Sequence, residues 1–384
     1  MAARMQGLVI APNKTAVVAD IAVPEPAHNE IRVKVHSVAL NMVDALYTQY
    51  PLGELGRVVG SDISGVVDKI GAGVTEWRVG DRVAGLLQGA TSVTPRPGGF
   101  AEYAILEQDL AIHVPAGVSF DEAATVPLCA LTAAQALFIR LEIPAPFPSA
   151  YTFAPPAIDA PTILVYSAAT SLGLYTVELA SLLRTPSGKS YRIFATASPK
   201  HHAKLLALGA EAVFDYRSPT WVEDVRKASG GISYAVDCIS ENESTAVISQ
   251  TFVESGGKIA VIRSTGWDKE GVREGVTPLY GAVWQGLGHE LIYNNATLPA
   301  SPSWRAFSVA FYKFLSAGSA KDSSRFPISP NPVRLMPGGL AEIVSDAFVL
   351  IGTFKVVDRP VEATAHGDKE WMKPVSGEKL VYRV

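Results

Sequence analysis

Two short stretches carry polar side chains at a spacing that suits a phosphate. Ala195-Thr196-Ala197-Ser198-Pro199-Lys200 closes the apolar run "RIFATA" and holds no Asp or Glu. An acid at the end of such a strand would take the ribose hydroxyls of NAD, whereas Ser198 can donate to a 2′-phosphate and Lys200 can neutralise it. A lysine in a helix's first turn also opposes the dipole, which favours a functional reason over a solvated one. Tyr216, closing the next run "EAVFDY", could add its hydroxyl or pack against adenine. The second stretch is "YSAATSLG", Tyr166 to Gly173. Its small residues let a diphosphate reach backbone N–H groups and the positive end of a helix, and Ser167, Thr170 and Ser171 add hydroxyls. Only Gly173 remains of a GxGxxG pattern, so a tight strand-to-helix turn without ligand is the other reading.

These stretches need a parallel sheet behind them. "TILVYSA" reads as a buried strand, and Leu172, Tyr175, Leu179 and Leu182 share one face of the helix that follows. "RIFATA", "KHHAKLLALG", "EAVFDY", "WVEDVRKA", "ISYAVDCI" and "GGKIAVI" continue the alternation of strand and helix. That order predicts an α/β, doubly wound parallel sheet binding a nucleotide at its carboxyl ends. Residues 6–110 differ: short β-branched runs broken by Gly, Pro and Asp predict a small, mostly β domain. "FDEAATVPLCALTAAQALFIRLEI" reads as helical apart from Pro127, and the Pro- and Ala-rich stretch after it as a surface loop or hinge. The terminal "GEKLVYRV" is strand-like and is expected to return to the first domain. The predicted division is 1–155 with 326–384, and 156–325.

The run "VGSDISGVVDKIGAGVTEWRVGDRVAG" resembles the N-terminal domain of medium-chain dehydrogenases/reductases. The zinc-dependent members carry Gly-His-Glu where this chain has Gly60-Ser61-Asp62, and Cys where it has Asn41. Catalytic zinc needs about three Cys, His or carboxylate ligands, and a structural site of four cysteines cannot be built from Cys129 and Cys238 alone. His201 and His202 diverge by about 100° on a helix and make a poor ligand pair. No metal is expected. None of the 13 tyrosines is followed four residues later by lysine, so the short-chain reductase pair is missing as well. Without zinc to polarise a carbonyl, hydride addition to an activated alkene becomes the favoured chemistry.

"FATASPKHHAKLLALGAEAVFDYRSP" and "VSGEKLVYRV" are similar to the fungal trans-acting enoyl reductases of polyketide biosynthesis, and the similarity runs from "NEIRVKVHSVALNMVDALY" to the end. The resemblance implies a Rossmann domain plus a GroES-like domain, and NADPH. It also implies reduction of α,β-unsaturated thioesters tethered to a partner polyketide synthase, or a polyketide–peptide hybrid. Motif by motif, it implies nucleotide contacts at Ser167, Ala168, Ala169 and Thr170, and at Ser198, Pro199, Lys200 and His201. It adds Tyr216, Val261, Ile262, Val375 and Ser376. The early contact segment falls on Val43, Asp44, Ala45 and Leu46, and Thr132 falls on the helix near the nicotinamide. Leu46 stands where the family commonly has lysine, and residues 351–374 form a longer run into "SGEKL".

The enolate left by hydride addition must be stabilised and then protonated. Asp44 and Tyr50 are the candidate catalytic residues. Tyr50 and Tyr47 could relay a proton or simply pack; Asp44 could relay or support a turn; water could serve instead. The remaining properties set bounds. At 384 residues with 48% hydrophobic and 18% charged residues, the chain reads as two globular domains. A net charge of −4 gives no reason to expect nucleic acid. Two cysteines fit a reducing compartment. With no signal-like or membrane-spanning apolar run, a cytoplasmic protein, monomeric, is expected. Two rival readings stand beside the leading one: a stand-alone zinc-independent quinone or alkenal reductase, and a non-reducing nucleotide-binding auxiliary protein.

Overall fold

The computed structural model describes residues 3–93, 95–156, 158–293, 296–352, 355–356 and 369–384. Of the long 351–374 run singled out in the sequence, 353–354 and 357–368 lie outside the described residues. The chain forms two compact units, Met1–Leu128 with Trp284–Val384, and Cys129–Val283.

The first unit is built on a seven-stranded sheet. Val333–Leu335, Lys379–Arg383, Glu30–Ala39, Asp62–Ile70, Arg82–Leu86 and Ala111–His113 are neighbours in that order, and Tyr103–Glu107 pairs with the other part of Glu30–Ala39. Alternation decides the central strand: Ile31, Val33 and Val35 point into the core with Val67, Phe100 and Tyr382. The last strand lies antiparallel to it, with Tyr382 opposite Val38. Arg4–Ala11 and Thr15–Ala22 form a hairpin turned at Asn13 and Lys14, both at positive φ.

The helix Pro302–Ser316 belongs to this unit. Its Arg305 pairs with Glu107 at 2.7 Å and Asp109 at 2.6 Å, and its Ser316 Oγ accepts from the His113 N–H at 3.0 Å. Arg96 and His289 also reach Glu107, at 2.9 and 2.8 Å. Burial opposes ionisation of Glu107, but the three partners win and hold its carboxyl at about 2.

The second unit is a six-stranded, all-parallel sheet. Its order is Ala212–Phe214, Arg192–Thr196, Thr162–Tyr166, Tyr234–Asp237, Gly257–Val261, Val276–Tyr280. This is the doubly wound order with a switch point between Thr162–Tyr166 and Tyr234–Asp237. Leu164, Phe194, Ala235 and Ile259 from the sheet pack with Trp221, Val225 and Ile248 from its helices. Leu172, Tyr175 and Leu179 of the helix Ser171–Ser181 are buried, as their spacing predicts, while Leu182 caps the helix end and is half-buried. No helix among the described residues is long and apolar enough to cross a membrane.

Candidate active site

In the second unit, three left-handed non-glycine residues mark the switch point. Ser167 follows the strand Thr162–Tyr166 at φ 58°, while Ser240 and Asn242 follow Tyr234–Asp237 at 49° and 51°. Such residues are costly and gather where function over-determines the backbone. The Ser167 N–H donates to Thr196 Oγ1 at 3.0 Å and the Ala168 N–H to Thr196 O at 2.9 Å. Those two amides are therefore committed to fixing the loop. Thr170 caps that helix: its hydroxyl donates to Ser167 O at 2.9 Å and accepts from the Gly173 N–H at 3.0 Å. A Cβ on Gly173 would lie 2.6–2.7 Å from the Ala168 backbone, so only glycine lets the helix start this close to the loop. Ala169 is partly exposed between these fixed points. The loop thus fits a diphosphate without the GxGxxG pattern.

The Ala197 N–H donates to Phe214 O at 3.0 Å, which sets the two following segments side by side. One is Ser198 and the turn Pro199–His201, with Lys200 exposed and Ser198 half-buried. The His201 N–H bonds Ser198 O at 2.9 Å, and His202 Nε2 lies 3.0 Å from Ala197 O. The other is Asp215-Tyr216-Arg217, beyond the strand end at Phe214. Tyr216 is 41% exposed, and the Arg217 guanidinium sits 5.7 Å from its ring. Arg217 holds Asp215 through two bonds of 2.9 Å and keeps its carboxyl below the usual range. The charge of the acid that follows the third strand is thereby paired. Sequence reasoning passed over Arg217, although its place beside Tyr216 was a signal.

Val261 ends the strand Gly257–Val261, and the Ile262 N–H donates to Ser240 Oγ at 2.9 Å. Asp237 anchors this loop: it accepts from Ser244 Oγ at 2.6 Å, Thr245 Oγ1 at 2.8 Å and the Ser240 N–H at 2.8 Å. Burial pushes its carboxyl up. Thr132 lies on the helix Pro127–Gln135, its carbonyl bonded by Arg140 Nη2 at 3.2 Å.

In the first unit, the positions discussed for zinc meet as a hydrogen-bonded cluster. Ser61 Oγ donates to Asp44 Oδ1 at 2.7 Å, and the Asn41 N–H donates to Asp44 Oδ2 at 2.8 Å. Asn41 Nδ2 donates to Asp62 Oδ2 at 2.9 Å, and the Leu128 N–H to Asp62 Oδ1 at 2.8 Å. Lys379 Nζ reaches Asp62 Oδ2 at 2.5 Å and Thr125 O at 3.2 Å. Burial, only partly offset by Ser61 and Asn41, pushes the Asp44 carboxyl up to about 7. A carboxyl at that value exchanges its proton at neutral pH. Among the described residues no three His, Cys, Asp or Glu side chains gather as a metal site. Lys379 was not foreseen, since a strand lysine ordinarily reads as solvated.

The other expected residues fall around this cluster unevenly. Val43 and Leu46 are half-buried and Ala45 buried on the helix Met42–Gln49. Tyr47 is buried. Tyr50 stands at the far end of that helix, about 9 Å along the axis from Asp44 by helical rise. It is 42% exposed, with Lys14 Nζ 4.6 Å from its ring. Asp44 and Tyr50 are therefore not brought together. Val375 and Ser376 are half-buried, in a segment tethered by Arg334 to Trp371 O at 3.1 Å and Pro374 O at 2.9 Å.

Residues 27–116 match the family model of the alcohol dehydrogenase GroES-like domain. The chain is 33% identical over 343 residues to the trans-enoyl reductase ACTTS2 of Alternaria alternata, covering 88% of this chain and 92% of that one. It is 30% identical over 340 residues to the enoyl reductase cheB of Chaetomium globosum, covering 86% of each. The crystal structure of the CurK enoyl reductase superposes with a TM-score of 0.69 at 20% identity, covering 99% of both chains, and so shares the fold.

Proposed function

The chain belongs to the trans-enoyl reductases of the medium-chain dehydrogenase/reductase superfamily, nicotinamide-dependent oxidoreductases acting on a carbon–carbon double bond, and we propose that it reduces α,β-unsaturated polyketide thioesters carried by a partner polyketide synthase or polyketide–peptide hybrid synthase. The proposed reductant is NADPH, and the proposed reaction needs no zinc. The observation that carries this reading is the buried cluster of Asn41, Asp44, Ser61, Asp62 and Lys379: side chains that would have to be metal ligands are bonded to one another. Neutral Asn and Ser are poor zinc ligands, and an adjacent ammonium opposes a dication.

When bound, the cofactor supplies the hydride that adds to the β-carbon of the thioester. The residues assigned to hold it are those at the switch point and at the ends of the second and third strands. Ser198 and Lys200 take the 2′-phosphate, and Arg217 offsets the charge of Asp215 that would repel it. Asp44 holds a proton on its carboxyl near neutral pH, with Ser61 Oγ and the Asn41 N–H fixing its two oxygens.

The test is NADPH oxidation with crotonyl-pantetheine and with small free enones, with and without a chelator, alongside elemental analysis. Turnover of the pantetheine-linked substrate, indifferent to chelator, is expected. One tightly held zinc per chain would sink the metal-free reading. Turnover confined to free enones would mark a stand-alone reductase, and nucleotide binding without any turnover an auxiliary protein.

A further inference from the structure

A buried guanidinium that pairs with no acid among the described residues lies behind the strand ends of the second unit. The helix Pro127–Gln135 passes directly into a wider turn, Ala136–Arg140, closed by the Leu141 N–H on Ala136 O at 3.0 Å, five residues back. Such π-type turns recur at functional sites. This one directs Arg140 inward, where it is 5% exposed. Nη1 donates to Val261 O at 2.7 Å and Nη2 to Thr132 O at 3.2 Å, while Nε is buried with no partner. Among the described residues no carboxylate pairs with it; the titratable groups acting on it are Tyr280 and Cys238. Burial raises the Cys238 thiol, which is therefore neutral. Burial lowers the guanidinium to about 10, which leaves it charged at neutral pH.

A buried cation with no counter-charge is destabilising, and a neutral side chain could bond a carbonyl at lower cost. The charge therefore asks for a reason other than folding. We infer that Arg140 is a positioning residue that ties the Thr132 carbonyl to the Val261 carbonyl and whose uncompensated charge biases the site toward the reduced nicotinamide. This rests on the proposed reading of Thr132 and Val261 as lining the cofactor. The oxidised ring carries a positive charge and the reduced ring none, so a fixed cation repels only the oxidised form. For a separation on the order of 10 Å and an effective dielectric near 20, a unit charge changes the ratio of the two affinities by on the order of tenfold.

The experiment is a set of equilibrium titrations of NADPH and NADP⁺ on the wild-type chain, Arg140→Gln and Arg140→Lys, at fixed ionic strength. The wild type is expected to bind NADPH about tenfold more tightly than NADP⁺. Arg140→Gln should bring the two within about threefold, and Arg140→Lys should restore the difference only where the pH is low enough to keep a buried ammonium protonated. Equal wild-type affinities for the two forms overturn the inference, whether or not the variants fold. So does a difference that survives in Arg140→Gln, or a loss of both forms in equal proportion, which marks a purely structural residue. A wild-type chain that binds NADH and NAD⁺ but neither phosphorylated form refutes the NADPH assignment instead. The Arg140 inference is then judged on the NADH to NAD⁺ ratio, since the ring charge is the same.

Discussion

Lys379 Nζ lies 2.5 Å from Asp62 Oδ2, and the two side chains are 2% and 0% exposed. The pair joins the C-terminal strand to the strand Asp62–Ile70 across 317 residues of chain. Desolvation makes such a pair a weak net contributor, but removing one partner leaves a buried charge alone. Lys379→Met is therefore expected to cost about 3–5 kcal/mol of stability. Lys379→Met/Asp62→Asn should lose less than the single variant, because the orphaned charge goes with it. Chemical denaturation of both variants decides this, and a double variant that is the less stable of the two refutes it.

Asp44 gives the site a pH dependence of definite sign. Its carboxyl titrates near 7 in the folded chain because it is buried, against about 3.9 in an unfolded one. Between those values the folded state binds more protons, so its contribution to stability is full below the unfolded value and is lost as pH rises through about 7. The loss amounts to roughly 4 kcal/mol over that interval. Asp44→Asn removes it. Unfolding free energies measured from pH 4 to 8 should fall more steeply for the wild type than for the variant. Parallel curves would show that Asp44 does not titrate there.

How far the sequence reaches can be seen from particular residues. The turn at Ser167 to Gly173 was legible because a β-branched run stops at small residues, a capping Thr and a helical apolar face, all local signals. The strand "GEKLVYRV" was legible for the same reason. Lys379 within it was not, since only a partner 317 residues away makes a buried lysine tolerable. Arg140 was hidden in an apolar stretch that reads as plain helix and gives no hint of a π-type turn or of the carbonyls of Thr132 and Val261. Asp44 and Tyr50 are close in sequence, yet the helix between them sends one into the core and leaves the other at the surface.

Glu107 predicts a second pH effect, of opposite sign. His289, Arg305 and Arg96 outweigh burial and hold its carboxyl at about 2, whereas an unfolded Glu titrates near 4.3. Its stabilisation is present above the unfolded value and is lost as pH falls through about 2. The full contribution is about 3 kcal/mol before allowance for solvent screening, and about half survives it, or roughly 1–2 kcal/mol. Glu107→Gln should lose that amount at pH 7 and approach the wild type at pH 2–3. An undiminished difference at the lower pH would mean that packing, not charge, is what the glutamate supplies.

The last prediction concerns cofactor choice. Ser198 and Lys200 follow the second strand with no acid among them, and Arg217 already occupies Asp215. A charge-assisted hydrogen bond contributes about 1.5–3 kcal/mol, or roughly one to two decades of affinity. Lys200→Ala should therefore weaken NADPH by about that factor and leave NADH nearly unchanged. Ser198→Ala should act in the same direction and by less, since a neutral donor is lost. Tyr216→Phe should cost least, because the ring still packs. Titrations belong at one ionic strength, as salt screens exposed phosphate contacts. If Lys200→Ala weakened NADPH and NADH alike, the lysine would serve the diphosphate or the fold. If the wild type held NADH as tightly as NADPH, the 2′-phosphate assignment of residues 195–200 would be wrong, while the hydride chemistry of the fold would stand.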